Sequence, residues 1–442
     1  MTDSMFALPQ HDRRSEWTPR SLRSLLKARS ERGRPELPLL TVARERGVFV
    51  RSPDDDNHNA IPEDLSSYKV AREGDLVVNK MKAWQGSLGL APVDGIVSPA
   101  YFVFQADLAV PKFGEYLLRS QPYVAEFGAA SDGVRIGQWD LNIPRMRRIE
   151  VALPNADEQA AIVKYLAHAN ARIDKAIAAK RRLIDLLEEE KMALLARVIG
   201  EATGVIMRLK HVASIQTGLT LGKDYGEQPL SEYPYLRVAN VQMGHVDTTD
   251  VATVAVPTAE AERCTLRAGD VLMTEGGDID KLGRGTVWDS SVDGCLHQNH
   301  VFAVRCGARL LPEFLAAWLA APEPRFYFYV TAKKTTNLAA TNSTTVRELP
   351  MVVPPVYEQR RLLALLSAQS APVDLAKAKA AREIELLREF RGRLVADVVT
   401  GQVDVRELAG SLPEAAEVST AVGILNDAAE LEIKGVLEMS EV

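Results

Sequence analysis

Several features that would place this chain in a special class are scarce or missing from its 442 residues. It has three cysteines, Cys264, Cys295 and Cys306, and no CxxC pair, which excludes a disulfide scaffold and favours free thiols in a reducing compartment. No run of 18 apolar residues occurs, so a membrane helix is not expected. The first residues lack the basic and apolar regions of an export signal. The prediction is a cytoplasmic protein with no membrane partner.

Catalytic motifs are also missing. A DNA methyltransferase would need a glycine-rich cofactor loop and an Asn/Asp-Pro-Pro-Tyr/Phe motif, and neither is present. Asp270 and Glu275 have the first spacing of a metal-dependent nuclease, but two glycines follow, and a Gly-Asp turn accounts better for Asp270. Cys295, His297 and His300 invite a zinc site, yet they alternate along a predicted strand and lack a further ligand pair with metal spacing. We predict no catalytic residue and no metal ligand.

The net charge of −6 argues against a nucleic-acid partner only if it is taken as a single number. Residues 13–51 hold eleven Arg and Lys against four acids, whereas residues 404–442 hold nine acids against two bases. Without that tail the rest of the chain is near neutral. Such asymmetry indicates a charged partner rather than a fold, although a solvated face and a solvated tail would give the same pattern.

The strongest pattern is an internal repeat with a period of 200 residues. The segments that begin at Pro154 and Pro354 align over 45 positions without a gap, and both carry Pro-x-x-x-Glu-Gln before a long helical pattern. Identical pairs include Pro154/Pro354, Glu158/Glu358, Gln159/Gln359, Leu166/Leu366, Asp174/Asp374, Ile184/Ile384, Leu187/Leu387, Leu194/Leu394 and Val198/Val398. The chain is therefore predicted to be two half-molecules in tandem.

Each copy is predicted to form one long helix with a coiled-coil seam, because its apolar residues step alternately by four and three. The seam residues are Ile173, Ile177, Ile184, Leu187, Leu194 and Val198 in one copy and Val373, Ile384, Leu387, Leu394 and Val398 in the other. Lys191 and Arg391 also fall on the seam, where a long stem can lie while its charged head reaches an acid. Antiparallel pairing would place the globular segments at opposite ends of a rod. The alternative is that each helix packs only on its own globular segment.

The predicted fold class is α+β, with two globular mixed α/β domains, two long helices in an antiparallel coiled coil and pseudo-twofold tandem symmetry. The repeat is weaker in the globular parts, where Arg72–Val78 resembles Arg267–Met273 and both place Gly-Asp before an apolar strand. The predicted divisions are a disordered N terminus (1–16), a first globular domain (17–152), a first long helix (153–203), a second globular domain (204–352), a second long helix (353–403) and an acidic extension (404–442).

Several sequence strings make the chain resemble the specificity subunits of type I restriction–modification systems over roughly residues 17–405. The strings that carry the resemblance are GDLVVNKMKAWQGSLG (74–89), GIVSPAYFVF (95–104), SDGVRIGQWDLNIP (131–144), LPNADEQAAI (153–162), YPYLRVANVQ (233–242), GDVLMTEGGDIDKLGRG (269–285) and VPPVYEQ (353–359). The resemblance implies that the globular segments are target recognition domains, each reading one half of an asymmetric, bipartite site in double-stranded DNA. It also implies that the helices set the gap and dock two methyltransferase subunits.

The same resemblance implies that the chain is a non-catalytic DNA-binding subunit. S-adenosylmethionine would then be bound by the methyltransferase subunits, and ATP and Mg²⁺ by restriction subunits where the system has them. The alternative is a stand-alone nuclease or methyltransferase with scattered catalytic residues. A coiled-coil scaffold without a DNA role is a third class.

Candidate DNA contacts follow from chemistry, since Lys and Arg bind phosphates and Arg, Lys, Asn and Gln read base edges. Three segments concentrate such residues beside glycines or aromatics, and a fourth is the second-half counterpart of the region around Ser131. The candidates are Lys80, Lys82, Gln85, Arg135, Gln138, Lys281, Arg284, Lys333 and Lys334. Solvated loops are the simpler interpretation of each segment. Trp84 and Trp139 are predicted to anchor the core rather than stack on bases, because the target is a duplex.

Overall fold

A computed structural model describes residues 16–44, 46–52, 61, 64–133, 139–277, 279, 282–334 and 339–413. It divides into two compact units, one made of residues 1–180 and 382–442 and the other of residues 181–381. Each unit thus contains one globular domain and half of each long helix. Of the N terminus predicted to be disordered (1–16), residues 1–15 lie outside the described residues, as do residues 414–442 of the acidic extension.

The first half of the chain folds into short strands and helices and ends in a 45-residue helix. Its elements are β1 (Thr18–Ser21), α1 (Leu22–Leu25), β2 (Leu26–Ala28), β3 (Leu40–Ala43), β4 (Gly47–Val50), β5 (Lys69–Ala71), β6 (Leu76–Asn79), β7 (Leu88–Leu90), β8 (Gly95–Val97), β9 (Tyr101–Ala106), α2 (Pro111–Arg119), α3 (Gln121–Ala129), β10 (Ser131–Asp132), β11 (Asp140–Leu141), α4 (Ile143–Met146), β12 (Glu150–Leu153) and α5 (Ala156–Gly200).

The second half follows a similar order, with one short helix between its fourth and fifth strands and another at its end. Its elements are β13 (Val205–Arg208), β14 (Ala213–Thr217), β15 (Ser231–Leu236), β16 (Ala252–Val256), α6 (Thr258–Cys264), β17 (Val271–Thr274), β18 (Gly276–Gly277), β19 (Gly285–Val287), β20 (Leu296–His297), β21 (Val301–Cys306), α7 (Pro312–Ala320), α8 (Pro322–Thr331), β22 (Lys333–Lys334), β23 (Ala339–Ala340), α9 (Ser343–Glu348), β24 (Pro350–Val353), α10 (Val356–Val399) and α11 (Arg406–Ser411).

Both units contain the same four-stranded antiparallel sheet, which extends the repeat into the globular domains. The strand order is β2-β9-β6-β7 in the first unit and β14-β21-β17-β19 in the second. The two central strands pair Leu76 with Phe104 in one sheet and Val271 with Val304 in the other. A separate antiparallel pair, β1 with β12 or β13 with β24, leads into each long helix.

A Gly-Asp turn precedes the central strand of each sheet, as the shared sequence predicted. Gly74 and Gly269 have φ values of 80° and 84°, which side chains other than glycine rarely adopt. The next residues, Asp75 and Asp270, are 3% and 1% exposed. Each carboxylate accepts the backbone N–H of the residue three positions earlier at 2.9 Å. The motif therefore has a structural role in both units.

The core of each unit lies between this sheet and the helix that follows it. In the first unit Phe113 and Leu117 of α2 pack with Phe104 of the sheet, and Ile162 of α5 and Val398 of α10 join the same cluster. In the second unit the equivalent cluster contains Phe314 and Leu315 of α7, Val271 and Phe302 of the sheet, Val198 of α5 and Leu362 of α10. Each globular domain thus packs directly on the two long helices of its own unit.

The two long helices also pair with each other in antiparallel orientation within each unit. In the first unit Arg391 donates to Asp174 and Lys180 lies 2.6 Å from Glu383. In the second unit Lys377 pairs with Glu188, Lys191 pairs with Asp374 at 2.6 Å, and Arg197 donates to Gln369 at 2.9 Å. Within each unit, the residue number of the partner in α10 falls as the residue number in α5 rises, which is the order expected of antiparallel helices. The predicted antiparallel coiled coil is confirmed.

Every seam position of the paired helices is buried or partly buried. Ile173, Ile177 and Val198 are buried, as are Val373, Ile384, Leu394 and Val398, while Ile184, Leu187, Leu194 and Leu387 are partly buried. The repeated basic residues Lys191 and Arg391 reach the repeated acids Asp374 and Asp174, as the long-stem interpretation requires. The two long helices therefore pair with each other and also pack on the globular domains, although the sequence alone left these arrangements as alternatives.

Candidate nucleic-acid interface

In the first unit the structure brings together two predicted DNA-contact segments that are about 60 residues apart in the chain. Lys80 lies directly after β6, and its carbonyl accepts the N–H of Leu141 at 3.0 Å. The Lys80 ammonium lies 2.5 Å from a carboxylate oxygen of Asp140, and both side chains are about half exposed. The indole rings of Trp84 and Trp139 contact each other, with centroids 5.2 Å apart. The result is one continuous edge, here called edge one (79–85 and 139–142).

The local sequence explains the backbone turn within edge one. Ala83–Gln85 forms one 3-10 turn, and Gly86 ends it with φ 82°, a conformation that favours glycine. Within this turn Ala83 is buried, Gln85 is partly buried and Lys82 is exposed. The turn therefore holds its apolar residue inward and leaves Lys82 facing solvent.

The two tryptophans differ from the predicted core anchors. Trp84 and Trp139 are each partly buried rather than buried, and Trp84 donates its indole N–H to the carbonyl of Met81 at 3.1 Å. They pack on each other at the surface of the first unit. Their contact joins the two segments of edge one.

The second unit builds an equivalent edge with different chemistry. Strand β18 (Gly276–Gly277) pairs with β23 (Ala339–Ala340), and β23 pairs with β22. The carbonyl of Glu275 accepts the N–H of Thr341 at 2.8 Å, and the Glu275 carboxylate accepts from His300 Nδ1 at 2.6 Å. We call this edge two (275–277, 300, 333–334 and 339–342).

The two edges share a backbone scaffold and differ in charge. Lys80 and Glu275 are each the first residue after the equivalent central strands, β6 and β17. Each offers its carbonyl to a residue just before a short helix, Leu141 or Thr341. A cation stands at this position in the first unit and an anion in the second. This is the arrangement expected of one scaffold that carries two readers.

The remaining candidate residues have different outcomes. Arg135, Gln138 and Lys281 lie outside the described residues. Arg284 is partly buried, next to Gly283, whose missing side chain leaves room for the ring of Phe328. Lys333 is exposed on β22, and Lys334 follows it on the same strand. The assignment of these residues to DNA contact stays a prediction.

Buried glutamines in the repeated Pro-x-x-x-Glu-Gln motif form the connection between helix and domain. Gln359 is fully buried, donates to the carbonyls of Pro354 and Arg309 at 2.8 Å each, and accepts the N–H of Leu311 at 2.8 Å. Gln159 does the same with the Pro154 carbonyl at 2.8 Å and the Val110 N–H at 3.3 Å. Sequence reasoning noted the motif without this role, although its recurrence at both helix starts was the available signal.

Pairs of buried charges were also missed. Asp270 accepts two hydrogen bonds from Arg305, at 2.8 and 2.7 Å, and Asp75 accepts two from Arg29, at 2.5 and 3.1 Å. The hydrogen bond to Asp75 is the main cause that raises the pKa of Arg29. Arg29 directly follows β2 whereas Arg305 lies on β21, which are not equivalent positions, so the repeat in the sequence could not reveal the two arginines.

The residues that suggested a metal or catalytic site are engaged in the fold. The buried His297 donates from Nδ1 to the carbonyl of Val301 at 2.7 Å, and burial lowers its pKa to about 4. His300 is bound to Glu275, and the turn and Arg305 occupy the Asp270 carboxylate. Strand β20 ends at His297, so the predicted single strand from Cys295 to Val304 is in fact two strands with a turn between them.

The cysteines are poor nucleophiles in these surroundings. Burial raises the pKa of Cys295 to about 11 and that of Cys306 to about 12, so both thiols stay protonated near neutral pH. Burial also raises the pKa of Cys264. Among the described residues, no group of three or more His, Cys, Asp or Glu side chains is placed to hold a metal ion.

Comparison with known proteins gives consistent matches. The chain is 22% identical over 339 residues, 70% of its length, to the type I restriction enzyme EcoKI specificity subunit of Escherichia coli (strain K12), of which the match covers 71%. A solved chain from a structural study of complex assembly and conformational transition in the type I R-M system aligns over 90% of this chain and all of its own length, with a TM-score of 0.62 and 19% identity.

Another solved chain, the HsdS subunit from Thermoanaerobacter tengcongensis, aligns over 91% of this chain and all of its own length, with 19% identity and a TM-score of 0.43. No protein-family model matches the chain. In the described part of the chain, no helix is long and apolar enough to cross a membrane. The resemblance and the fold class predicted from sequence are both confirmed.

Proposed function

We propose that this chain, which resembles type I specificity subunits in sequence and fold, is the DNA-specificity subunit of a type I restriction–modification complex. The observation that carries the proposal is the duplicated scaffold with two different edges. A repeat that only built a scaffold would have no need to replace Lys80 by Glu275 at equivalent positions. Two readers on one framework would recognise two unlike half-sites, and the recognised site is therefore asymmetric and bipartite.

Edge one supplies the reader for one half-site and edge two the reader for the other. Lys80, Lys82 and Gln85 offer ammonium and amide groups of the kinds that contact phosphates and base edges. Lys333 and Arg284 offer the same chemistry in the second unit. Because Lys80 is a cation and the equivalent Glu275 is an anion, the two edges would recognise different chemical groups at the two half-sites.

The paired helices set the spacing of the half-sites and dock two methyltransferase subunits, which bring S-adenosylmethionine. ATP and Mg²⁺ belong to restriction subunits in systems that cleave. This chain contributes recognition and no chemistry of its own. The engagement of Asp270 by Arg305 and of Glu275 by His300 supports that assignment, because both carboxylates of the nuclease alternative are committed to the fold.

Charge reversal at edge one tests the proposal. The complex of this chain with its modification subunit carries Lys80→Glu and Lys82→Glu, and its affinity for a cognate duplex is measured against salt. We expect weaker binding with a smaller salt dependence and an unchanged helical circular dichroism signal. A matched control is Lys175→Glu with Lys379→Glu, two exposed lysines on the long helices that are not part of edge one. Full retention of affinity by the edge-one variant would overturn the assignment of edge one.

A further inference from the structure

A cleft of about 730 Å³ lies in the first unit, between the globular domain and the paired helices. Trp84 and Gln85 of edge one line one part of it, and Arg388 and Gly392 of α10 line another. Five of its lining residues are cations and two are carboxylates; the cations are Arg44, Lys112, Arg119, Arg388 and Arg391, and the carboxylates are Glu115 and Asp174. We call it the basic cleft. It is continuous with the edge that carries the predicted DNA contacts.

The carboxylates of the basic cleft hold its cations in place. The buried Glu115 lies 2.7 Å from Lys112 and 3.3 Å from Arg119. A second guanidinium N–H of Arg119 donates to the carbonyl of Arg44 at 2.8 Å, which ties the β3–β4 turn to α2. Asp174 binds Arg391 across the helix pair. Cations that are already ordered lose little side-chain entropy when an anion binds.

Arg388 differs from these cations. It is exposed, and it makes no hydrogen bond or ion pair with any described residue. It lies four residues before Gly392, so the two positions share one face of α10. A side chain at Gly392 would meet nothing within 4 Å. A glycine in a helix interior costs about 1 kcal/mol relative to alanine, and no packing contact in the described structure requires it.

The internal repeat provides a control within the molecule. The residues equivalent to Arg388 and Gly392 in the first copy are Glu188 and Met192. Met192 lines a cleft of the second unit whose described walls are mostly apolar, with Leu282 and Phe326 among them and Arg325 as the one charged residue. Among the described residues, the equivalent location is therefore basic in one unit and mostly apolar, with a single cation, in the other. A merely structural cleft would have no reason to differ in this way.

We infer that the basic cleft seats backbone phosphates of the DNA next to the half-site read by edge one. The inference rests on the proposed function, which places edge one against DNA. Phosphate contacts need Lys and Arg without sequence-specific geometry, and the five cations of the cleft meet that need. Among the described residues, the corresponding cleft of the second unit has one lining cation, Arg325, against five in the basic cleft, so the two half-sites are held with unequal electrostatic strength. An acidic protein surface would also complement the charges of the basic cleft, but the position of the cleft beside edge one favours DNA.

The test uses the assembled complex with Arg388→Ala and measures affinity between 50 and 200 mM salt on a cognate and a scrambled duplex. Each lost phosphate contact lowers the slope of log affinity against log salt by about 0.9. Across this range the wild-type complex should therefore lose about three- to four-fold more affinity than the variant, on both duplexes. The control is Arg393→Ala, an exposed arginine of α10 that pairs with Glu389 and does not line the cleft. Its slope should equal that of the wild type.

A second pair of variants separates blocking from destabilisation. Gly392→Glu places a carboxylate in the basic cleft and should weaken binding to both duplexes, and Gly392→Ala, which should unfold at a higher denaturant concentration, measures the effect of this glycine on stability. The proposal is overturned if Arg388→Ala keeps the wild-type slope. It is also overturned if Arg388→Ala changes the methylated sequence, or if it weakens assembly with the modification subunit while the slope stays unchanged. Absence of sequence-specific binding by the wild-type complex would instead refute the proposed function.

Discussion

The buried pair of Asp270 and Arg305 yields a quantitative prediction. Asp270 is 1% exposed, and its carboxylate accepts two N–H groups of Arg305 and one backbone N–H. Asp270→Asn keeps the size of the side chain, but its amide cannot accept from all three donors and carries no charge. Removing one partner of a buried pair costs about 3–5 kcal/mol. The Arg305 side chain is 30% exposed and recovers some hydration, so we expect about 3 kcal/mol.

The assay must report on the second unit alone, because a two-unit protein need not unfold in one step. Backbone hydrogen exchange in β17 and β21 meets this need. Asp270→Asn should speed exchange there by about two orders of magnitude and leave β6 and β9 unchanged. Asp75→Asn, the equivalent change in the first unit, should do the reverse. In a double-mutant cycle with Arg305→Met, the coupling energy should be about 2–3 kcal/mol.

The enzyme alternative predicts another result for the same variant. If Asp270 were a catalytic carboxylate, Asp270→Asn would abolish activity and leave exchange in β17 unchanged or slower. That result would refute the structural role argued here for the Gly-Asp turn.

Three further predictions concern other buried or paired groups. The pKa of His297 is about 4 in the fold and about 6.5 when unfolded, so the second unit should lose up to about 3 kcal/mol as pH falls from 6.5 to 4, and urea titrations of His297→Gln should lose this dependence. Gln359→Leu leaves two carbonyls and one N–H without their partner and should destabilise the second unit by about 3 kcal/mol in denaturant unfolding, more than Gln159→Leu destabilises the first; equal effects would contradict the geometry. Swapping charges with Lys191→Asp and Asp374→Lys should restore the loss of either single change, about 1 kcal/mol at most, since these side chains are 36% and 49% exposed; a double mutant no more stable than the singles would refute the pairing.

The sequence was sufficient for the features that depend on regular spacing. The 200-residue offset and the 3.5-residue period predicted both helices, their seam and their antiparallel pairing. The Gly-Asp turns were predictable because glycine readily adopts a positive φ and an aspartate side chain can accept hydrogen bonds from nearby backbone N–H groups. The repeat also places an acid at Asp174 and Asp374 and a base at Lys191 and Arg391. These four residues form the two symmetric ion pairs, although the sequence did not assign the partners.

Features that join distant parts of the chain could not be predicted. Edge one needs Lys80 beside Asp140, and nothing local in either segment specifies the other. The four-stranded sheets follow the same order in both units, yet the short strands have little sequence in common outside the Gly-Asp turns. Arg29 and Arg305 bind equivalent aspartates from positions that are not equivalent, one directly after β2 and one on β21, so a search for repeated residues would miss them. Domain bounds and DNA-contact residues stay predictions.

Sequencing the methylated sites of the host genome with and without this chain tests the central claim most directly. We predict one chain-dependent motif, made of two dissimilar specified halves separated by a fixed number of unspecified bases. In a strain that carries Lys80→Glu and Lys82→Glu, methylation should fall or change at one half only. A continuous or palindromic motif, or no motif that depends on the chain, would contradict the account of two readers on one duplicated scaffold.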